Sequence, residues 1–172
     1  MKILVVLEHD RQQLRPGSLS AIGFANDLAR QTGGEVLCLL LGDAIDPLAQ
    51  EAARFAPVLA ASSPLLADPL ADRHARVIAD VAGNRQVDLV VAASSTYSRD
   101  VVSRAGGLLG GAMASDIVAH AWTEGRLVMK RPMYAGAILA TVVLQSSPQV
   151  VTVRPSAYPP AEPLTAAGTI TP

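Results

Sequence analysis

Uninterrupted apolar runs alternate with amphipathic stretches through residues 1–111. KILVVLE (2–8) reads as a buried strand. SLSAIGFANDLARQ (18–31) reads as a helix, with Ser18 as N-cap, Leu19, Ile22, Ala25 and Leu28/Ala29 along one stripe, and Gly33-Gly34 as its stop. EVLCLLL (35–41) is a second buried strand. DPLAQEAARFA (46–56) suits a helix with Asp46 at the cap and Pro47 at its first position, and PVLAAS (57–62) is a third strand. PLADRHARVIADVAG (69–83) places Leu70, His74, Val77, Ile78 and Val81 on one helical face. VDLVVAAS (87–94) and SRDVVSRAGGLLGG (98–111) complete a fourth strand–helix pair. Such alternation implies right-handed crossovers and a parallel sheet covered on both faces.

From residue 115 the pattern changes. IVAHAW (117–122) alternates, Glu124-Gly125 makes a turn, RLVMKRPMY (126–134) runs back, and AILATVVL (137–144) and QVVTV (149–153) follow. These are read as antiparallel strands extending the sheet. The expected fold class is α/β: a three-layer, doubly wound, mainly parallel sheet, Rossmann-like or adenine nucleotide alpha hydrolase-like, with C-terminal antiparallel strands.

Composition narrows the function. Half of the 172 residues are apolar and 17% are charged, enough for a core in one domain. A net charge of −1, two Phe, three Tyr and one Trp argue against nucleic-acid binding, which wants basic patches and stacking platforms. The single Cys38 sits in an apolar strand and excludes an internal disulfide or a cysteine metal cluster. No segment has the length of a membrane span or the form of a signal peptide, so the expectation is a cytoplasmic protein without membrane insertion.

A doubly wound sheet binds ligands beyond the carboxyl ends of its strands. The first loop, EHDRQQLRPGS, has no G-x-G-x-x-G, and there is no Walker A sequence. The fourth, AASSTYSRD, offers Ser94, Ser95, Thr96 and Ser98 ahead of a helix whose free N–H groups could hold an anion. Ser98 as a helix cap, with the other hydroxyls satisfying the turn, explains them equally. A phosphate-site glycine pattern, G-x2-G-x9-G-[ST], starts at Gly107 and Gly110 but meets His120 at its third position. The histidines His9, His74 and His120 do not converge, no metal-ligand spacing occurs, and no G-x-S-x-G is present. No catalytic constellation is expected, so the chain is read as a non-enzyme, and as metal-free.

Four segments in order carry a resemblance: ILVVLEH (3–9), STYSRDVVSRAGGLLGG (95–111) followed by Ser115-Asp116, KRPMYAGAILATV (130–142) and VVTVRPSAY (150–158). Together they resemble the N-terminal domain of the electron transfer flavoprotein α subunit. Ala137 departs from the family's usual Asn, and Tyr97-Ser98 from Phe-Gly. The resemblance implies pairing with a β subunit. It also implies an FAD in the complete assembly that takes electrons from dehydrogenases, such as acyl-CoA dehydrogenases of fatty acid β-oxidation, and passes them to a quinone reductase. That flavin is held chiefly by a second, C-terminal domain, so this chain alone is expected to bind none and to be colourless. An autonomous adenine-nucleotide-binding module over residues 92–99 and 8–17 is the alternative.

Within the resembling segments, Arg104, Asp116, Arg131, Tyr134 and Gly136 are candidate structural or interface residues. Gly136 suits a positive φ at a bend, Arg131 is extended by Pro132, and Arg104 is expected to pair with Asp116. Residues 1–157 are expected to form the domain. Residues 158–172, with four of the five prolines of the last 22 residues, read as an extended linker or tail.

Overall fold

The computed structural model describes residues 1–172. Lys2–Val6 (β1) lies at the middle of a parallel sheet, paired on one side with Glu35–Gly42 (β2) and on the other with Leu89–Ala93 (β4). Beyond β2 come Val58–Ser62 (β3) and a two-residue edge strand, Ile170–Thr171 (β10). Gln149–Val153 (β9) follows β4, and Ala112–Ile117 (β5) closes that edge. The seven strands therefore run β10-β3-β2-β1-β4-β9-β5. The chain reverses its direction of build-up at β1/β4, which places the switch-point crevice at their carboxyl ends.

Alternation along each strand feeds two cores. Ile3, Val5, Cys38, Leu40, Leu89 and Val91 pack on one face with Phe24, Ile22 and Leu28 of Pro16–Thr32 (α1) and with Asp46–Ala53 (α2). Leu4, Val6, Leu39, Val90 and Val150 pack on the other face, against Ile78 of Ala71–Asn84 (α3) and Val101 and Val102 of Thr96–Leu108 (α4). Each such side chain contributes about 1.5–3 kcal/mol when fully removed from water. Every strand from β1 to β4 is thus apolar on both sides, as the unbroken runs require.

Helix starts differ by a few residues from the sequence reading. Pro16 opens α1 with Arg15 as its N-cap residue, and Ser18, buried, bonds the Glu8 backbone instead of capping. Ile45 precedes α2, with Asp46 inside its first turn, where its charge suits the helix dipole. Gly33 ends α1 in the left-handed conformation, φ 64°.

The antiparallel part forms its own three-stranded sheet: Ala119–Thr123 (β6), Arg126–Met133 (β7) and Ile138–Val143 (β8), in that order. QVVTV does not belong to it. This run returns to the main sheet as β9, parallel to β4 and β5 and buried along most of its length. Its apolar character on both faces selects the interior of the parallel sheet. Leu127, Met129, Trp122 and Val142 face the α1 core, and Phe24 meets the His120 ring edge-on at 4.6 Å and Tyr158 at 5.3 Å.

Residues 158–172 do not stand off as an extended, unpacked segment. Tyr158 and Ala161 are buried. The N–H groups of Ala161, Leu164 and Gly168 donate to the carbonyls of Leu19, Arg54 and Ala53, and Val58 N–H donates to Thr169. The docking is made by backbone and by two glycines. A Cβ at Gly23 would collide with the Pro159 carbonyl, and one at Gly168 would lie 2.7 Å from the Pro57 nitrogen. No helix is long and apolar enough to cross a membrane.

Candidate functional site

The switch-point crevice gathers the loop after β1 and the loop after β4. Ser95 is the N-cap of α4, and its side chain accepts from Ser98 N–H while the Ser98 hydroxyl accepts from Ser95 N–H. The cap is therefore Ser95, and Ser98, expected to be the cap, is its reciprocal partner three residues on. The Ser95 hydroxyl donates to the Glu8 carboxylate at 2.6 Å. Ser94 donates to the Thr152 hydroxyl at 3.0 Å, and the same oxygen accepts from Asp116 N–H at 2.9 Å. Thr96 is exposed and makes no side-chain bond. Three of the four loop hydroxyls are thus engaged within the chain. The positive end of α4 already has Glu8 beside it, so an added phosphate would meet a carboxylate.

Next to this network lies a cavity of about 310 Å³, walled by Glu8, His9, Arg11, Leu66, His74 and Tyr97 among others. Both histidines in its wall are committed. Arg11 N–H donates to His9 Nδ1, so the other ring nitrogen carries the proton and donates to the Leu41 carbonyl at 2.8 Å. His74 is directed to the Leu66 carbonyl through Nε2 at 3.2 Å and accepts the Tyr97 hydroxyl at Nδ1, 3.0 Å. Burial holds the His74 pKa below its ordinary value, opposed by the Leu66 carbonyl. Burial, with the nearby Glu8 charge, pushes the Tyr97 phenol up.

An FAD does not fit these residues. Its pyrophosphate would meet the Glu8 carboxylate at the α4 N-terminus, and the two arginines of the cavity wall, Arg11 and Arg15, already face Asp68 and Asp10. The His9 ring lies against the end of β2, where a Cβ on Gly42 would already be 3.1 Å from its Nε2. The cavity is also at the lower limit for a drug-sized ligand. No group of three or more His, Cys, Asp or Glu side chains is placed to hold a metal ion.

The remaining candidates fall on two separate surfaces. Arg104 bonds Asp72 at 2.6 Å, linking α4 to α3, and does not reach Asp116. Asp116 instead pairs with Arg154, at 2.5 and 3.2 Å, because the end of β9 lies beside β5. Arg154 holds the Asp116 carboxyl below the usual carboxylate range, against burial. Sequence reasoning missed the Arg154–Asp116 pair; the link between SD and VRP is visible only once β9 is known to adjoin β5. Arg131, Tyr134 and Gly136 line an open cleft of about 690 Å³ with Asp116 and Arg154. Gly136 has φ 91°, as the bend requires, and Tyr134 and Ala135 before it also have positive φ, 51° and 55°.

A family model described as electron transfer flavoprotein domain matches residues 3–171. A mitochondrial electron transfer flavoprotein subunit alpha of Oryza sativa subsp. indica is 31% identical over 167 residues, covering 92% of this chain and 45% of that protein. The electron transfer flavoprotein subunit alpha of Pseudomonas aeruginosa is 29% identical over 161 residues, covering 92% and 49%. That of Clostridium acetobutylicum is 28% identical over 161 residues, covering 91% and 48%. The chain spans about half the length of the curated relatives it matches.

Proposed function

The chain belongs to the electron transfer flavoprotein domain family, and from that premise we propose that it is the α-type N-terminal scaffold of an electron-carrying flavoprotein. In this reading it docks a β-type subunit and supports an FAD held by residues outside this chain. Electrons come from flavin dehydrogenases, such as acyl-CoA dehydrogenases, and leave to a quinone reductase or similar acceptor. The working compartment is the cytoplasm, and the domain includes the docked segment 158–172, whose Ile170–Thr171 closes the sheet edge.

The observation that carries the proposal is the match along 3–171, in register with relatives named as α subunits that are about twice as long. The committed hydrogen bonds of the crevice support the placement of the flavin elsewhere. The test is to purify the chain with and without a β-type subunit and titrate FAD. A stable complex, with no flavin absorbance retained by the chain alone, is expected. Tight FAD binding by the isolated chain would overturn the flavin placement, and the absence of any complex would overturn the scaffold role.

A further inference from the structure

β7 carries its inner-face side chains from the core out past the carboxyl end of the parallel sheet. Successive residues of a strand alternate faces, so Leu127, Met129, Arg131 and Met133 share one side. Leu127 and Met129 are buried in the α1 core. Arg131 comes next, at the margin of that core, opposite the small Ala140 of β8. Its Nε is buried without a hydrogen-bond partner, and its guanidinium joins no ion pair within the chain. A buried N–H without an acceptor costs stability that a bound acceptor restores.

This arginine lines the cleft of about 690 Å³ that lies past the ends of β9 and β5, with Arg154 and Asp116 in its wall. Doubly wound sheets take their ligands beyond the carboxyl ends of their strands. The backbone is also unusual here. The β5 register shifts between Ala114 and Ile117, and Asp116 in that irregular step is the residue that meets Arg154. Asp116 has φ 59°, and with Tyr134 and Ala135 three of the seven non-glycine residues of positive φ line this one cleft. Such conformations cost stability and gather at ligand clamps and functional sites.

Charge and shape select the ligand. Asp116 engages Nε and Nη2 of Arg154, so Nη1 has no acceptor within the chain. Two arginines against one aspartate leave the wall with a single net positive charge. One carboxylate neutralises that charge, whereas a phosphate dianion would reverse it. The planar guanidinium fork of Arg131 matches the two oxygens of a carboxylate. Pro132, Met133 and Tyr134 supply the apolar part of the wall, and the last two are exposed, Tyr134 by 76%. Small-molecule sites of about 300–1,000 Å³ combine such apolar walls with a few polar groups. We propose that this cleft binds a small organic monocarboxylate, its oxygens on Arg131 and Arg154 and its apolar body against Met133 and Tyr134. The site stands apart from the scaffold reading and from the flavin placement, and its test needs only this chain.

Benzoate is the probe, titrated into the unmodified chain at constant ionic strength while backbone amide shifts are read by nuclear magnetic resonance. Saturable shifts are expected at Tyr134, Ala135 and Gly136, with acetate binding about tenfold more weakly because it lacks the ring. Arg131→Gln should weaken benzoate by about tenfold or more, and Arg131→Lys by less, since it keeps the charge without the fork. Lys130→Gln, on the opposite face of β7, should change binding by less than about twofold. Unfolding midpoints confirm that each variant is folded. Shifts that never saturate, or that spread away from the cleft, overturn the site. So does a folded Arg131→Gln that binds as tightly as the unmodified chain, or a Lys130→Gln that loses as much. Inorganic phosphate binding more tightly than benzoate overturns the carboxylate class. If Arg131→Gln does not fold, Tyr134→Ala, at an exposed position, decides: about a fivefold loss supports the placement of the apolar body, and unchanged binding overturns it.

Discussion

Gly23 sits in the middle of α1, where alanine is the better helix former by about 0.5–1 kcal/mol. Yet a Cβ at that position would collide with the Pro159 carbonyl oxygen and come within 3.3 Å of the Ala161 nitrogen. Both obstacles are backbone, which cannot swing aside as a side-chain end would. In Gly23→Ala the docked segment must lift, breaking the Ala161-to-Leu19 hydrogen bond of 2.9 Å and exposing the Ala161 methyl. A bond whose groups are left unsatisfied costs about 1–3 kcal/mol, and the methyl about 0.8 kcal/mol. Against the helix gain, the variant should be less stable by about 1–3 kcal/mol, lowering the melting midpoint by about 2–12 °C. Gly83→Ala is the internal control, since nothing lies within 4 Å of its Cβ, and it should be stabilising by up to about 1 kcal/mol. Urea unfolding followed by circular dichroism reads both. If Gly23→Ala stabilises the chain as Gly83→Ala does, residues 159–161 are not docked on α1. With a deletion of 158–172 as background, the sign at Gly23 should reverse.

Three further outcomes follow from the crevice and the core. Ser95→Ala removes the α4 cap and the donor to Glu8 and should cost about 1–2 kcal/mol in urea unfolding, whereas Thr96→Ala, at an exposed position, should cost little. His74 and His120 both have pKa values lowered chiefly by burial, so the unfolded chain binds more protons than the folded one below about pH 6.5. Stability should therefore fall as pH drops from about 6.5 through the folded values, and His74→Gln should flatten that slope, measured by unfolding midpoints from pH 8 to pH 5. The Cys38 thiol is pushed up to about 12 by complete burial, so a thiol-specific reagent at pH 8 should react only at the rate of unfolding, and prompt labelling of the native chain would contradict its placement.

The parallel half of the fold is legible because runs such as ILVV and VLCLLL are apolar on both faces, which only a covered sheet accommodates. The same criterion, applied to VVTV, returns it to the main sheet. Reading it as a continuation of the antiparallel strands gives weight to its neighbours in sequence and misses its lack of alternation. The error at Arg104 follows from the first, since a partner for Asp116 can be named only when β9 is beside β5. Ser95 and Ser98 form a reciprocal box, so sequence spacing shows that a cap exists without saying which serine leads.

The terminal segment escapes sequence reasoning for a different reason. Apolar content measures side-chain burial, but this segment is held mainly by backbone donors and by the absence of side chains at Gly23 and Gly168. A glycine in mid-helix, costing stability with no local need, is the available signal. The two ends of the molecule then differ in kind. At the crevice nearly every polar atom has a partner within the chain, and a ligand would have to displace Glu8, His9 or Ser95 from bonds of 2.6 to 3.0 Å. On the β7–β8 arm, cations go unpaired and apolar side chains meet water. Satisfied groups give a ligand little to gain, because each new bond replaces an old one, whereas unsatisfied groups leave that gain available. That asymmetry, more than any single residue, separates the internally satisfied crevice from the unsatisfied arm.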